Sequence, residues 1–350
     1  MSDENDFPET APLREQVVFL LRHAILSPSG HNTQPWLFRI TETGFQLIAD
    51  RRRALPVVDP HDRELAISCG AALGLFEVAA RRFGLDPVVN TLPDDRDPGL
   101  LATIEVVQGA QASATEIALF DAIADRRTTR TAFAMAPLPD TLIETCRGAA
   151  AGLGAALDVI ADADRRRGIA ALVGEGNRRQ FDDPRFRREL ALWIRSRRSG
   201  SGDGMSGAGF GMPDVLSAVG RLMIRTFDMG GGIAAADEKK ILAATPALGL
   251  LSSPGDGPAD WIATGRALAR VLLVLTAQGF TASYLNQPVE VEELRPRLRE
   301  VAAAGGHPQI LLRMGRTDVA AEPTVRRGLE SVILGDPDRG SDWGQSGGAE

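Results

Sequence analysis

Cysteine is nearly absent from this 350-residue chain, which carries only Cys69 and Cys146. Two cysteines exclude a disulfide framework and a cysteine-rich metal site. Cys69 falls on the apolar face of a helix with Leu65, Leu73 and Phe76, as a small buried hydrophobe would. Lysine is as scarce: Lys239 and Lys240 are the only two, so the basic charge is almost wholly arginine. Arginine suits bidentate contact with phosphate and carboxylate, although a codon bias of the source genome would give the same usage. There is no basic surplus, with 39 Lys and Arg against 46 Asp and Glu and a net charge of −7. That argues against a general nucleic-acid binder. The longest apolar run, near 267–277, carries Arg270 and falls short of a membrane span. The N-terminus, Met-Ser-Asp-Glu-Asn-Asp, lacks the apolar core of a signal peptide, so a cytoplasmic protein is expected. The four histidines, His23, His31, His61 and His307, have no metal-ligand spacing, and no metal site is expected.

What is present is ordinary globular composition, 44% hydrophobic and 24% charged, in a chain long enough for two lobes. Residues 1–10 and 336–350 read as disordered ends. A first lobe, 11–114, reads helix (about 13–26), hairpin (36–49), helix (63–83), a Pro- and Asp-rich loop (86–100) and strand (101–107). A second lobe, 115–335, reads as helices near 115–127, after Pro139, at 163–180 and at 185–196, with a strand at 155–161. It closes with an apolar helix (260–278), an amphipathic helix (290–303) and a strand (309–314). Between them, 199–257 is a glycine-rich interruption, read either as a lid over a flat ligand or as a mobile surface insertion. Its Met205, Phe210, Met212, Met223 and Met229 suit an adaptable apolar cover. Gly207-Ala208-Gly209-Phe210-Gly211 inside it lacks the preceding strand that a dinucleotide fingerprint needs. The pattern is α+β.

Two segments carry chemistry. The first is Ser27-Pro28-Ser29-Gly30-His31-Asn32-Thr33-Gln34-Pro35-Trp36, a polar turn between an amphipathic helix and a strand. Pro, Ser, Gly and Asn expose backbone donors and tolerate unusual φ, and Pro35 is expected to hold Gln34 extended. Such a turn can hold an anionic ligand through N–H, hydroxyl and amide groups, or can simply end a helix. The second is Arg126-Arg127-Thr128-Thr129-Arg130. Alternate residues of an extended chain point the same way, so Thr128 and Arg130 can converge on one phosphate. A solvated basic face at a helix end is the plainer alternative.

Pro-Ser-x-x-Asn-x-Gln-Pro-Trp closely resembles the signature of the nitroreductase-like FMN enzymes, where the segment lies beside the flavin. Arg-Arg-Thr-x-Arg resembles the element with which that family grips the FMN phosphate, with Thr128 in place of serine. Ala49–Pro60, Arg63–Leu73, Arg188-Glu189-Leu190 with Trp193, and Asp260-Trp261 extend the likeness toward the Acg branch, over roughly 13–335. The resemblance implies a nitroreductase-like fold with two related lobes in one chain, a fused pseudo-dimer with a single flavin site at the junction. It implies FMN as cofactor and NAD(P)H as electron donor. A small-molecule acceptor, nitroaromatic or quinone, would be reduced in ping-pong fashion, and no side chain need act as nucleophile. The flavin-binding residues it implies are Pro28, Ser29, Gly30, His31, Asn32 and Gln34 of the turn, Arg126, Arg127, Thr128 and Arg130, and the C-terminal pair Arg326 and Arg327. Ser283, Tyr284 and Leu285 would belong to a glycine-started loop at the flavin edge. A flavin-binding or storage protein with a lid-blocked site is the alternative. No membrane partner is expected, and the chain would act as a monomeric pseudo-dimer or a homodimer.

Overall fold

The structure, a computed structural model, describes residues 6–196, 200–206, 217–319 and 321–335. The glycine motif at 207–211, with Phe210 and Met212, lies outside them, as do 1–5 and 336–350.

The first lobe opens with α1 (Leu13–Ala24), the polar turn, and the antiparallel pair β1 (Trp36–Ile40) and β2 (Gly44–Ala49). Then come α2 (Arg63–Arg82), β3 (Leu85–Thr91) and β4 (Leu100–Gln108). α3 (Ala114–Asp125) leads to the second lobe, which opens with α4 (Asp140–Ala151) and β5 (Ala156–Ile160). A helical stretch follows: α5 (Ala163–Asp182), α6 (Pro184–Leu192), the short paired strands β6 (Ile194–Arg195) and β7 (Met205–Ser206), α7 (Ser217–Thr226) and α8 (Gly230–Ala243). The lobe ends with β8 (Ala247–Ser253), α9 (Pro258–Ala277), β9 (Thr281–Tyr284), α10 (Gln287–Glu290), α11 (Arg295–Ala302) and β10 (His307–Gly315). The last strand, β11 (Ile333–Leu334), crosses back to pair with β1 in parallel.

The two sheets have one topology. The first runs β11-β1-β2-β4-β3 and the second β5-β8-β10-β9. Each lobe is therefore helix, two antiparallel strands, a long helix, and two more antiparallel strands. The strand pair of the first lobe is joined by a tight turn, whereas that of the second is interrupted by α5 to α8.

The long helices α2 and α9 form the seam. Each has 20 residues, and each is followed by a glycine in the left-handed region, Gly84 at φ 70° and Gly279 at φ 72°. At matching positions stand Gly70 and Gly265. A Cβ on Gly70 would lie 2.2 Å from the Ile262 carbonyl oxygen, and one on Gly265 would lie 2.0 Å from that of Ile67. Only glycine permits backbones this close. Arg266 of α9 adds two hydrogen bonds, 2.9 and 2.6 Å, to the buried Glu77 of α2. Residues of α2 from Arg63 to Ala80 are buried on every side, which marks it as a central helix of the molecule rather than an amphipathic surface one.

Three readings of the sequence are corrected. Residues 247–253, placed in the glycine-rich interruption, are β8, a central strand buried at every position; a continuous apolar run lacks the alternation that signals a strand. Residues 85–91, mostly placed in a loop because of Pro87, are β3, an edge strand where proline is tolerated. The region around 281–284 is strand β9 rather than a loop. Among the described residues no helix is long and apolar enough to cross a membrane, and both cysteines are free and buried.

Because the seam has no room for a methyl group, Gly70→Ala or Gly265→Ala is expected to destabilise the protein by about 3 kcal/mol. Equilibrium urea unfolding measures this. A change below about 0.5 kcal/mol, the size of an ordinary surface substitution, would mean that the helices separate freely.

Candidate functional site

The polar turn is bent harder than its sequence implies. His31, Asn32 and Gln34 have φ of 49°, 55° and 52°, a left-handed region costly to residues with a Cβ. Gln34 is thus not extended, despite the proline after it. Local bonds hold the bend: Asn32 N–H donates to the Ser29 carbonyl at 3.0 Å and Thr33 N–H to that of Gly30 at 2.9 Å. Ser29 Oγ accepts from Gln34 N–H at 2.9 Å. Gly30 N–H reaches Ser68 Oγ on α2 at 3.4 Å.

Distant segments brace the same turn. Asn32 Nδ2 donates to the carbonyls of Gly204 (2.9 Å) and Val325 (3.2 Å). Gln34 Nε2 donates to the Gly202 carbonyl at 2.8 Å, and Gln34 Oε1 accepts from Arg327 N–H at 2.9 Å. Arg327 also donates to the Gln34 carbonyl at 3.0 Å. The side chains of Asn32 and Gln34 are thereby committed to holding residues 202–204 and 325–327 against the turn. Arg53 and Arg195 complete the attachment: both pair with the buried Asp203, and both stack on Trp193, at 5.3 and 5.7 Å from its ring.

Beside the turn lies a group of guanidinium side chains. Arg126 is only 5% exposed and donates to the Leu26 carbonyl at 3.3 Å, just past the end of α1. Arg326 donates to the same carbonyl at 3.0 Å and to Asn32 Oδ1 at 3.3 Å. Among the described residues, Nε and Nη1 of Arg126, Nε of Arg326 and the Tyr284 hydroxyl are buried without a protein hydrogen-bond partner. Among the described residues no carboxylate forms an ion pair with Arg126, Arg130 or Arg326. Desolvation lowers the pKa of Arg126 and Arg130. Arg326 falls to about 9, through burial and then repulsion from Arg126 and Arg127. Arg130 is exposed, and among the described residues its guanidinium meets Met205 Sδ at 3.9 Å. His31 is pushed down to about 4 by burial and by Arg130, so it is neutral near pH 7. Tyr284 is pushed up to about 12, chiefly by burial.

Not every expected residue meets this group. Arg127 folds back on the carbonyls of Ala124 and Arg126, at 2.6 and 2.9 Å, and caps α3. Leu285 is buried in the second core and its N–H is spent on the Leu311 carbonyl at 2.9 Å. Ser283 is buried in β9 opposite Arg313. Thr128 bridges to Ala282 on the outer edge of β9. Of the methionines read as a cover, Met205 packs beside Leu55, Val58 and Ile224, whereas Met223 and Met229 are exposed.

A carboxylate group that the sequence reading missed lies on the α2 side. Glu64 accepts from Asn286 Nδ2 at 2.9 Å and Arg63 Nη2 at 3.2 Å; its other oxygen would lie 3.5 Å from a Cβ on Gly30. Burial, then repulsion from Glu290, holds the Glu64 carboxyl far above its ordinary value. Glu290 is raised as well, first by burial, although Gln180 donates to it. Among the described residues no cluster suits a metal ion.

The sign of the Glu64 effect follows directly. Its folded pKa lies above the unfolded value of 4.5, near 8. The native state therefore binds the extra proton between those values, and the contribution to stability is present below pH 4.5 and lost as pH rises toward 8. Glu64→Gln should gain stability relative to the parent across that window, with a slope of at most about 1.4 kcal/mol per pH unit. Urea unfolding from pH 5 to 8 tests it; parallel stability curves would place an ionised Glu64 in the parent.

The chain is 34% identical over 327 residues to the Mycobacterium tuberculosis protein named "Putative NAD(P)H nitroreductase Rv3131", a match covering 92% of each chain. It is 27% identical to "Putative NAD(P)H nitroreductase acg" of the same organism, over 93% of this chain and 97% of that one. Among solved structures, the FMN and NADPH-dependent nitroreductase NfnB from sphigopyxis sp. strain HMH is 20% identical, with a TM-score of 0.43 over 62% of this chain and 98% of that chain. No protein-family model matches the chain.

Proposed function

Since the chain belongs to the NAD(P)H nitroreductase family that includes Acg, we propose that it is an FMN-dependent oxidoreductase with one flavin site between its lobes. The lobes are taken as 11–114 and 115–335, and one chain suffices because both halves of the site lie on it. The observation that carries the reading is the pair of guanidinium groups, the buried Arg126 and the half-buried Arg326, which meet at the Leu26 carbonyl near the Tyr284 hydroxyl. Their free N–H groups and lack of carboxylate partners fit a phosphate, which accepts several charge-assisted hydrogen bonds at once.

Arg126, Arg326 and Tyr284 would hold that phosphate, with Arg130 closing it from the β9 side. The backbone of Pro28–Gln34 would form one wall for the ring. When bound, FMN supplies the redox chemistry, taking hydride from NAD(P)H and passing it to an electron-poor acceptor such as a nitroaromatic or quinone. The protein's work is to bind, orient and exclude water. Neutral His31 adds no charge to the turn, and the protonated Glu64 carboxyl offers a hydrogen-bond donor facing it. Free buried cysteines and a nicotinamide donor fit a cytoplasmic protein.

One observation favours the storage reading. The turn's amides already hold residues 202–204 and 325–327, so these segments cover the wall that a ring would use. Asp203 ties that cover to Arg53 and Arg195, so Asp203→Ala should loosen it. For a covered enzyme, faster FMN uptake and higher turnover with bulky acceptors are expected; unchanged rates would place the control elsewhere.

The first experiment is a visible spectrum of the purified protein, an FMN titration of any apo fraction, and anaerobic addition of NADH or NADPH. Bound flavin that bleaches supports the reductase. Bound flavin that resists both donors supports storage, and absence of binding overturns both. Arg126→Gln or Arg130→Ala should each weaken FMN binding on the order of tenfold to a hundredfold, the worth of one charge-assisted hydrogen bond. Unchanged affinity, read by fluorescence titration, would remove that residue from the site.

A further inference from the structure

Strand β10 is buried from Pro308 to Gly315, and in the middle of its apolar run stands Arg313, 1% exposed. Among the described residues no carboxylate forms an ion pair with it. Nη2 donates to the carbonyls of Thr129 (3.3 Å) and Thr131 (3.2 Å), and the guanidinium covers the Phe133 ring at 4.5 Å. Nη1 has no partner. Burial lowers the group to about 10, with Asp237 opposing, so it is charged at neutral pH.

A lone buried guanidinium is costly, and an apolar side chain would suit the strand better if packing were all that mattered. What arginine supplies is a planar group, laid over the Phe133 ring, that aims the N–H groups of one terminal nitrogen, Nη2, at two alternate carbonyls of one segment. Gripping those carbonyls fixes the rotation of the segment about its own axis, and with it the direction of every side chain on it. Thr129 accordingly faces inward, 3% exposed, with Oγ1 3.0 Å from Thr281 Oγ1. Thr128 and Arg130 face the other way. The backbone ladder to β9 is short, the Thr128–Ala282 bridge and a bond from Thr129 N–H to the Ala282 carbonyl at 3.1 Å, supplemented by Thr281 Oγ1 donating to the Arg127 carbonyl at 3.3 Å; Arg313 holds the segment from its other side.

We propose that Arg313 is the positioning residue of the anion-binding segment, turning Arg130 toward the side on which Arg126, Arg326 and Tyr284 gather. The inference rests on reading that cleft as the phosphate end of a flavin site. Lysine at this position keeps the charge but not the planar group that Phe133 holds in place.

The test compares FMN with riboflavin, which lacks the phosphate, on parent, Arg313→Lys and Arg313→Met proteins. Fluorescence titration gives the affinities and thermal melting shows that each variant folds. FMN affinity should fall about tenfold in Arg313→Met and severalfold in Arg313→Lys, while riboflavin affinity stays within twofold. An unchanged FMN-to-riboflavin ratio in folded variants overturns the proposal; if Arg313→Met does not fold, Arg313→Lys decides. A parent that binds neither flavin refutes the flavin reading, and inorganic pyrophosphate then decides for Arg313. A melting midpoint raised by pyrophosphate in the parent but not in Arg313→Lys upholds the positioning role. An equal response, or none, overturns it.

Discussion

The approach of α2 to α9 is the constraint on which the molecule depends. Gly70 and Gly265 let two backbones come closer than any side chain allows, and the Glu77–Arg266 pair fixes their register. Everything functional hangs from the ends of this pair. α2 begins with Arg63 and Glu64 beneath the polar turn, and α9 runs through Gly279 into β9, which carries Tyr284 and receives the arginine segment. A methyl group at the crossing would displace both ends together.

The two lobes share one topology but differ in the segments on which the proposed site draws. In the first lobe, α1 and β1 are joined by the long strained turn from Ile25 to Pro35. In the second, α4 and β5 are joined by Gly152-Leu153-Gly154-Ala155, too short to form an equivalent wall. Conversely, the arginine segment stands before α4, and the chain before α1 carries no arginine. The proposed site draws on both segments, which the crossing brings together. The result is polarised. Guanidinium groups without a carboxylate partner among the described residues gather at the Leu26 carbonyl, and Glu64 and Glu290, whose pKa values burial raises, lie on the α2 side.

Much of this was legible in the chain. Helices α1 to α6 and α9 follow from apolar periodicity and caps, and the turn and Arg126–Arg130 stand out by composition. What escaped has physical reasons. β8, Ala-Leu-Gly-Leu-Leu-Ser-Ser, is buried on both faces and so carries no alternation, and the glycines before it read as more loop. The likeness of the lobes was legible through the family resemblance, although the insertion of α5 to α8 between β5 and β8 removes any simple repeat of residues. At the site, proline-based reasoning put Gln34 in the wrong region because tertiary bonds from 202–204 and 325–327 override the local preference. Nothing local marks Glu64 as protonated, since its state depends on Glu290 and Asn286 far along the chain. Arg313 did leave a signal, as the lone charge in a buried-looking strand.

The bracing of the turn has a consequence for how the protein is made. Asn32 bonds Val325, and β1 takes β11 as its parallel neighbour, so these pairings join residues from opposite ends of the chain. Domains emerging from the ribosome fold from the N-terminal side first. The first sheet must therefore wait with β1 as a bare edge, and the left-handed turn unsupported, until the last strand is released. Such an edge is the surface on which nascent chains pair wrongly. The segment that reads most clearly in the sequence is thus among the earliest synthesised and the last to be secured.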